Sequence, residues 1–70
     1  MNIIICGAGR VGSTIAKMLI EQNHSITIID QSSDDIQKIN DTLDVKAIVG
    51  KATSPAILEK ANTKDADMII

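Results

Sequence analysis

The chain has 70 residues and a formal net charge of −2, and it contains no Phe, Trp or Tyr. It therefore has neither the basic surface nor the aromatic stacking platforms typical of nucleic-acid binders, and we expect no nucleic-acid partner. Its length allows one domain at most, and its single cysteine excludes an internal disulfide. No apolar run approaches the roughly 18 residues that span a bilayer, and no basic leader precedes the first run, so we expect a cytoplasmic protein without direct membrane insertion.

Four short apolar runs rich in isoleucine alternate with three helical patterns along the chain. The first run, at residues 2–6, is uninterrupted, as in a strand that is buried on both faces. A helix is predicted over residues 10–22, and its buried face is predicted to carry Val11, Ile15, Met18 and Leu19. Asn23 and His24 end this helix, since Asn tolerates the left-handed backbone conformation that is common after a helix.

The second strand is predicted at residues 25–30, and Ser32 or Ser33 caps the helix that follows it. The first turn of this second helix carries Asp34 and Asp35, whose charges favour the positive end of the helix dipole. Its buried side is predicted to consist of Ile36, Ile39 and Leu43.

The remainder of the chain predicts a third strand at residues 45–49, a third helix, and the beginning of a fourth strand at Asp67. Ser54 and Pro55 are typical of the N-cap and the first position of a helix, which we expect to continue through Ala61. Because strands and helices alternate, we expect parallel strands joined by right-handed crossovers. In the strand order 3-2-1-4, the fourth strand lies beside the first.

These elements predict an α/β fold, a Rossmann-like doubly wound parallel sheet of which residues 1–70 form only the first half, β-α-β-α-β-α-β. The apolar residues at the end of the sequence are typical of the start of a strand, and we expect the same nucleotide-binding domain to continue beyond Ile70. An open apolar edge at residues 67–70 would favour pairing with a second copy.

A glycine-rich motif lies between the first strand and the first helix. It reads Gly7-Ala8-Gly9-Arg10-Val11-Gly12 and matches the G-x-G-x-x-G pattern of dinucleotide-binding turns. We expect Gly7 to make the tight turn, Gly9 to let a pyrophosphate approach the backbone, and Gly12 to let the helix pack on the strand. Free N–H groups at the helix start favour phosphate binding, and the alternative is a packing turn without a ligand.

Asp30 lies at the end of the second strand, 18 residues after Gly12. A carboxylate at this spacing is typical of a residue that accepts hydrogen bonds from an adenosine ribose. It also repels a 2′-phosphate, and the next residue is Gln31 rather than Arg, so NAD is favoured over NADP. The alternative is that Asp30 only ends the strand and initiates a turn.

Two further segments are expected near the same edge of the sheet. Arg10, the only arginine, either reaches the phosphate oxygens or lies in solvent in the first helical turn. Lys51, Ala52 and Thr53 follow the third strand, and they either border the adenosine or only connect the strand to the next helix.

The sequence shows no catalytic arrangement. Cys6 is predicted to be a small buried hydrophobic residue, and His24 to interact with the carbonyl groups at the end of the first helix. No nucleophile is paired with a base, and no group of residues has metal-ligand spacing, so the sequence indicates a binding site and not an enzyme.

Three motifs together resemble the family of TrkA N-terminal domains, also called RCK or KTN domains. They are residues 1–12 (MNIIICGAGRVG), residues 26–30 (ITIID), and Gly50-x-Ala52-Thr53 followed by Leu58, Ala61 and residues 66–68. The resemblance covers all 70 residues. Family members often have Asp or Asn after the glycine of the third motif, where this chain has Lys51.

The resemblance implies a regulatory domain of a bacterial Trk potassium uptake system that binds NAD or NADH, or alternatively ATP or ADP. It implies a homo-oligomer, in which dimers assemble into a ring, held peripherally at the inner face of the membrane by a potassium transporter or channel partner. The resemblance implies that Gly7, Gly9, Arg10, Val11 and Gly12 hold the phosphates, that Asp30 with Gln31 beside it holds the ribose, and that Ala52 and Thr53 border the adenosine. Ala8 and Lys51 lie within the same segments and complete the predicted site.

Two other interpretations remain open from the sequence. The chain could be the cofactor domain of an NAD-dependent dehydrogenase whose catalytic residues lie beyond Ile70. It could also be a Rossmann-type module that mediates assembly alone.

Overall fold

The computed structural model describes residues 1–70, which form one four-stranded parallel sheet with helices on both faces. The strands are β1 (Asn2–Cys6), β2 (Ser25–Asp30), β3 (Lys46–Val49) and β4 (Met68–Ile69). The helices are α1 (Arg10–Glu21), α2 (Ser33–Thr42) and α3 (Pro55–Lys60), and one turn of 3-10 helix covers Thr63–Asp65. The strand order β3-β2-β1-β4 confirms the predicted Rossmann-like half.

The two faces of the sheet carry separate apolar clusters, because successive side chains of a strand point to opposite faces. The cluster beneath α1 and α2 consists of Ile3, Ile5, Ala8, Ala16, Ile26, Ile28, Ile36 and Ile39. The smaller cluster on the α3 side consists of Ile4, Ile29, Ile48 and Ala61. The uninterrupted isoleucine runs are therefore explained by a sheet that is covered on both sides.

The buried face of α1 differs from the predicted one. Val11 and Met18 are 73% and 56% exposed, whereas Ala16 is completely buried. The other apolar residues of α1 that pack against the core are Ile15, Leu19 and Ile20. A Cβ at position 12 would collide with the carbonyl oxygen of Gly7, so Gly12 is the point of closest approach between the helix and the glycine loop. The close approach of Gly12 to Gly7 determines how α1 is rotated about its axis, and this rotation leaves Val11 and Met18 exposed. The spacing of the large apolar residues alone does not predict this rotation.

The second helix and the strand boundaries agree with the prediction to within about one residue. The hydroxyl of Ser32 caps α2 by accepting a hydrogen bond from the backbone N–H of Asp35 at 3.2 Å. The predicted buried side is confirmed, with Ile36 and Ile39 buried and Leu43 packed beside them. The third strand begins at Lys46 and the fourth at Met68, one residue later than predicted in each case.

Two asparagines follow helices in the left-handed conformation. Asn23 has φ 66° after α1, as predicted, and Asn62 has φ 61° after α3. The prediction for His24 was wrong: its Nδ1 accepts a hydrogen bond from the amino group of Met1 at 3.0 Å, because the start of β1 lies beside the start of β2. No helix combines the length and the apolar character needed to cross a membrane.

Candidate nucleotide-binding site

The predicted site segments all follow strands, and in a parallel sheet these carboxyl ends meet at one edge. The glycine loop (residues 7–12) follows β1, Asp30 ends β2, and residues 50–53 follow β3. Because β2 lies between β1 and β3, Asp30 is the central element of this edge.

The glycine loop begins with a turn that only glycine adopts easily. Gly7 has φ +124°, a conformation that L side chains rarely adopt, and its N–H donates to the carbonyl of Ile29 at 2.7 Å. Gly7 therefore makes the tight turn that the sequence predicted. Together with the close approach at Gly12, it shows that the fold itself requires two of the three glycines in the motif.

The fold does not require the third glycine, Gly9. Its φ of −72° and ψ of −165° are accessible to any residue, and a Cβ at this position would meet no atom within 4 Å. The space over Gly9 is therefore open on the side where a ligand can approach the backbone.

The start of α1 is free to accept an anion. Gly9 occupies the N-cap position, no side chain caps the helix, and its first turn contains no acidic residue. The first N–H groups of a helix have no partner within the helix, and the helix dipole favours negative charge at this end. A phosphate group fits both properties of this position.

Asp30 makes two hydrogen bonds at the centre of the edge. Its Oδ2 accepts from the backbone N–H of Ala8 and its Oδ1 from that of Ser32, both at 2.8 Å. These bonds, the one from Ala8 above all, hold the pKa of Asp30 below its ordinary value. The turn-forming role that the sequence left open is therefore present, and Gln31 continues this turn as an exposed residue.

The segment after β3 is joined to the same centre through the backbone. The N–H of Gly50 donates to the carbonyl oxygen of Asp30 at 2.9 Å. Ala52 packs against the apolar cluster on the α3 side, whereas Lys51 and Thr53 are exposed. Of the three predicted adenosine contacts, Lys51 and Thr53 have accessible side chains.

Arg10, the first residue of α1, is exposed to solvent and lines a groove between α1 and α2. The groove has a volume of about 410 Å³. Its other polar residues are Ser13, Thr14, Lys17, Asp35, Lys38 and Thr42. The groove brings together three of the seven cationic side chains with one carboxylate. The groove was not predicted from the sequence, although the spacing of Arg10, Ser13, Thr14 and Lys17 places them on one helical face.

The prediction of a buried Cys6 was wrong. The thiol is exposed, because Cys6 ends β1 at the open edge of the sheet, on the same face as Ile4 but beyond the cluster that covers Ile4. No group of three or more His, Cys, Asp or Glu residues is arranged to hold a metal ion.

Comparison with known families agrees with this geometry. The family model of the TrkA-N domain matches residues 3–70. The chain belongs to the TrkA-N family. The resemblance carried by the three sequence motifs is thereby confirmed.

Curated relatives of this TrkA-N chain are named as potassium uptake proteins. The Trk system potassium uptake protein TrkA of Vibrio alginolyticus is 41% identical over 70 residues, which are 100% of this chain and 15% of that protein. The TrkA homolog of Pyrococcus abyssi is 40% identical over 67 residues, which are 96% of this chain and 30% of that protein. The chain thus spans a small part of the length of the relatives that it matches.

A solved structure with a similar fold is the Kef C-terminal domain of Shewanella denitrificans in its AMP-bound form. It superposes with a TM-score of 0.80 at 30% sequence identity, covering 99% of this chain and 39% of that chain. The superposition confirms the Rossmann-like α/β architecture of the TrkA-N chain.

Proposed function

We propose that this chain is the nucleotide-sensing part of a regulatory protein of a Trk-type potassium uptake system, and that it gates transport without catalysing a reaction. Its ligand is NAD or NADH, with ATP or ADP as the alternative. Membership of the TrkA-N family supports the connection to potassium uptake. The geometry at the carboxyl edge of the sheet supports the nucleotide.

The observation that carries the nucleotide proposal is the open glycine at position 9. The protein's own packing gives no reason for a glycine there, whereas it gives one at Gly7 and at Gly12. A pyrophosphate that lies against the backbone at the start of α1 would require a glycine at this position, since a Cβ would keep the phosphate away.

The proposed contacts follow the order of the strands along the edge. The phosphates lie on the glycine loop, from Gly7 to Gly12 with Ala8, Gly9, Arg10 and Val11 between them. The ribose hydroxyls donate to Asp30, with Gln31 beside it, and Lys51, Ala52 and Thr53 border the adenosine. The solved Kef domain is in an AMP-bound form, which fits an adenosine half that is common to all the candidate ligands.

Regulation requires a partner and two states. We propose a homo-oligomer, in which dimers assemble into a ring, held at the inner face of the membrane by a potassium transporter or channel subunit. A nucleotide shifts such an assembly only if it binds its two states with different affinity, and the coupling between nucleotide and transport is then reciprocal. A dehydrogenase cofactor domain would share the same edge, but the TrkA-N family favours the regulatory role.

Isothermal titration calorimetry on the full chain with NADH, NAD, ATP and ADP tests the proposal. We expect saturable binding of at least one of these ligands with one site per chain. NADPH is the matched control, and it should bind at least about tenfold more weakly than NADH, since its 2′-phosphate would lie against the ionised Asp30. Absence of binding by all four nucleotides would overturn the nucleotide proposal and favour a role in assembly alone.

A further inference from the structure

The carboxylate of Asp30 joins two loops that follow different strands. One oxygen accepts a hydrogen bond from Ala8 in the glycine loop, and the other accepts one from Ser32 at the start of α2, each at 2.8 Å. We call this arrangement of one carboxylate and the backbone N–H groups of Ala8 and Ser32 the Asp30 bridge. It spans 22 residues of sequence on the glycine-loop side.

The Asp30 bridge gives the backbone N–H of Ala8, in the glycine loop, its hydrogen-bond partner. Ala8 is only 6% exposed and belongs to the main apolar cluster. Its N–H donates to Asp30, whereas the neighbouring N–H of Gly7 donates to the carbonyl of Ile29. A backbone N–H in such a place is costly to leave unpaired, so the loop conformation between Gly7 and Gly9 is coupled to the ionised Asp30.

The bridge leaves Asp30 able to bind a ribose at the same time. An ionised carboxylate has about four acceptor positions, and the two backbone donors occupy one on each oxygen. The same hydrogen bonds lower the pKa of Asp30, so the carboxylate is ionised at neutral pH. Loop organisation and ribose binding are therefore compatible functions of one side chain.

We propose that Asp30 is a positioning residue that holds the glycine loop in its phosphate-binding conformation before the nucleotide binds, in addition to accepting the ribose hydroxyls. This inference rests on the proposed function for its effect on affinity. Asp30 then contributes to phosphate recognition through Ala8, without touching the phosphates. A residue that only bound the ribose would contribute nothing to a ligand without ribose hydroxyls.

A pair of ligands separates these two roles. The Asp30→Ala variant removes both carboxylate oxygens, so both hydrogen bonds of the bridge are lost. We expect calorimetry to show a loss of affinity of about tenfold or more for ADP and also for 2′,3′-dideoxy-ADP, which has no ribose hydroxyls. Unchanged affinity for the dideoxy nucleotide would overturn the proposal and leave Asp30 as a ribose ligand only.

Amide hydrogen exchange of the ligand-free full chain, followed by NMR, tests the bridge directly. In the wild type we expect protection at Ala8 and at Gly7. In Asp30→Ala, Ala8 should exchange about tenfold faster or more, while Gly7, whose N–H donates to Ile29, should be unaffected. Fast exchange of the Ala8 amide in the wild type would by itself overturn the bridge. Equal acceleration of exchange at Ala8 and Gly7 in the variant would also overturn it.

The matched control for this experiment is Ser32→Ala. It removes the hydroxyl that caps α2 but keeps both backbone N–H donors of the bridge. Protection of Ala8 should therefore be unchanged in this variant, and its loss would contradict the assignment to Asp30. If the wild type bound no nucleotide, the proposed function and the affinity effect would fall together, whereas the exchange of Ala8 would still decide whether the bridge organises the loop.

Discussion

The β1–α1–β2 unit and the β3–α3–β4 unit both join two parallel strands through a helix, but they are held together differently. The strands β1 and β2 pair directly, whereas β3 and β4 lie at opposite edges of the sheet. The first contains a 12-residue helix that approaches the glycine loop through Gly12, and that loop is bonded to the side chain of Asp30. The second contains a six-residue helix without a buried residue, and Ser54 at its N-cap makes no side-chain hydrogen bond. The part of the edge proposed for phosphates and ribose is therefore preorganised, whereas the part proposed for adenosine has few fixed side chains.

The two units also form different hydrogen bonds with Asp30. The glycine loop uses the carboxylate, which responds to substitution and to pH, while Gly50 uses the backbone carbonyl, which does not. Substitutions at position 30 should therefore affect the first unit and leave the connection to the second unit in place.

Gly12→Ala should destabilise the fold most. The new Cβ would collide with the backbone of Gly7, and backbone atoms cannot move away by a change of rotamer. We expect the free energy of unfolding to fall by about 3 kcal/mol, at the upper end for overpacked sites. Because the chain has no aromatic residue, urea unfolding is followed by far-UV circular dichroism. A loss below about 1 kcal/mol would show that the first unit is not tightly packed at this point.

Acid should weaken the first unit through Asp30. The pKa of Asp30 is lower in the folded protein than in the unfolded chain, so its ionised form favours folding. This contribution is complete well above the unfolded value of about 3.9 and is lost as the pH falls through the lower folded value. At pH 7 we expect the free energy of unfolding of the wild type to exceed that of Asp30→Asn by about 1–2 kcal/mol.

The measurement for this prediction is the difference in unfolding free energy between wild type and Asp30→Asn at pH 7 and at pH 3. Taking the difference cancels the other carboxyl groups, which titrate in both proteins. The difference should shrink at pH 3, and a difference that grew on acidification would contradict the sign of the argument.

The two serine caps should give the smallest effect and the sharpest contrast. Ser32 accepts a hydrogen bond from Asp35 at the start of α2, whereas Ser54 makes none at the start of α3. Ser32→Ala should cost about 1 kcal/mol, and Ser54→Ala should change the stability by no more than a few tenths. Thermal unfolding of both variants at one pH checks this, and equal effects would remove the distinction between the two helix starts.

The sequence was sufficient to predict the features that arise from local rules. The four strands, their order, the turn at Gly7 and the left-handed Asn23 follow from composition, spacing and the geometry of single residues. The predicted packing role of Gly12 is also confirmed. What this close approach does to the helix, namely its rotation with Val11 turned toward solvent, was not predicted.

The features that were missed depend on contacts between distant parts of the chain. The hydrogen bond from Ala8 to Asp30 crosses from one strand end to another, and the contact of Met1 with His24 exists only because β1 and β2 are neighbours. The exposure of Cys6 depends on where the α3-side cluster ends. No pattern within one element of secondary structure contains this information.

The most direct test of the proposed function is Gly9→Ala, with Asn40→Ala, an exposed substitution in α2, as the control. Position 9 has room for a methyl group, so the free energy of unfolding should stay within about 0.5 kcal/mol of wild type, because the weaker N-cap is offset by a less flexible unfolded chain. Calorimetry with NADH and ADP should nevertheless show binding at least about tenfold weaker than in wild type and in the control. Unchanged affinity in a stably folded Gly9→Ala variant would contradict phosphate binding at the glycine loop.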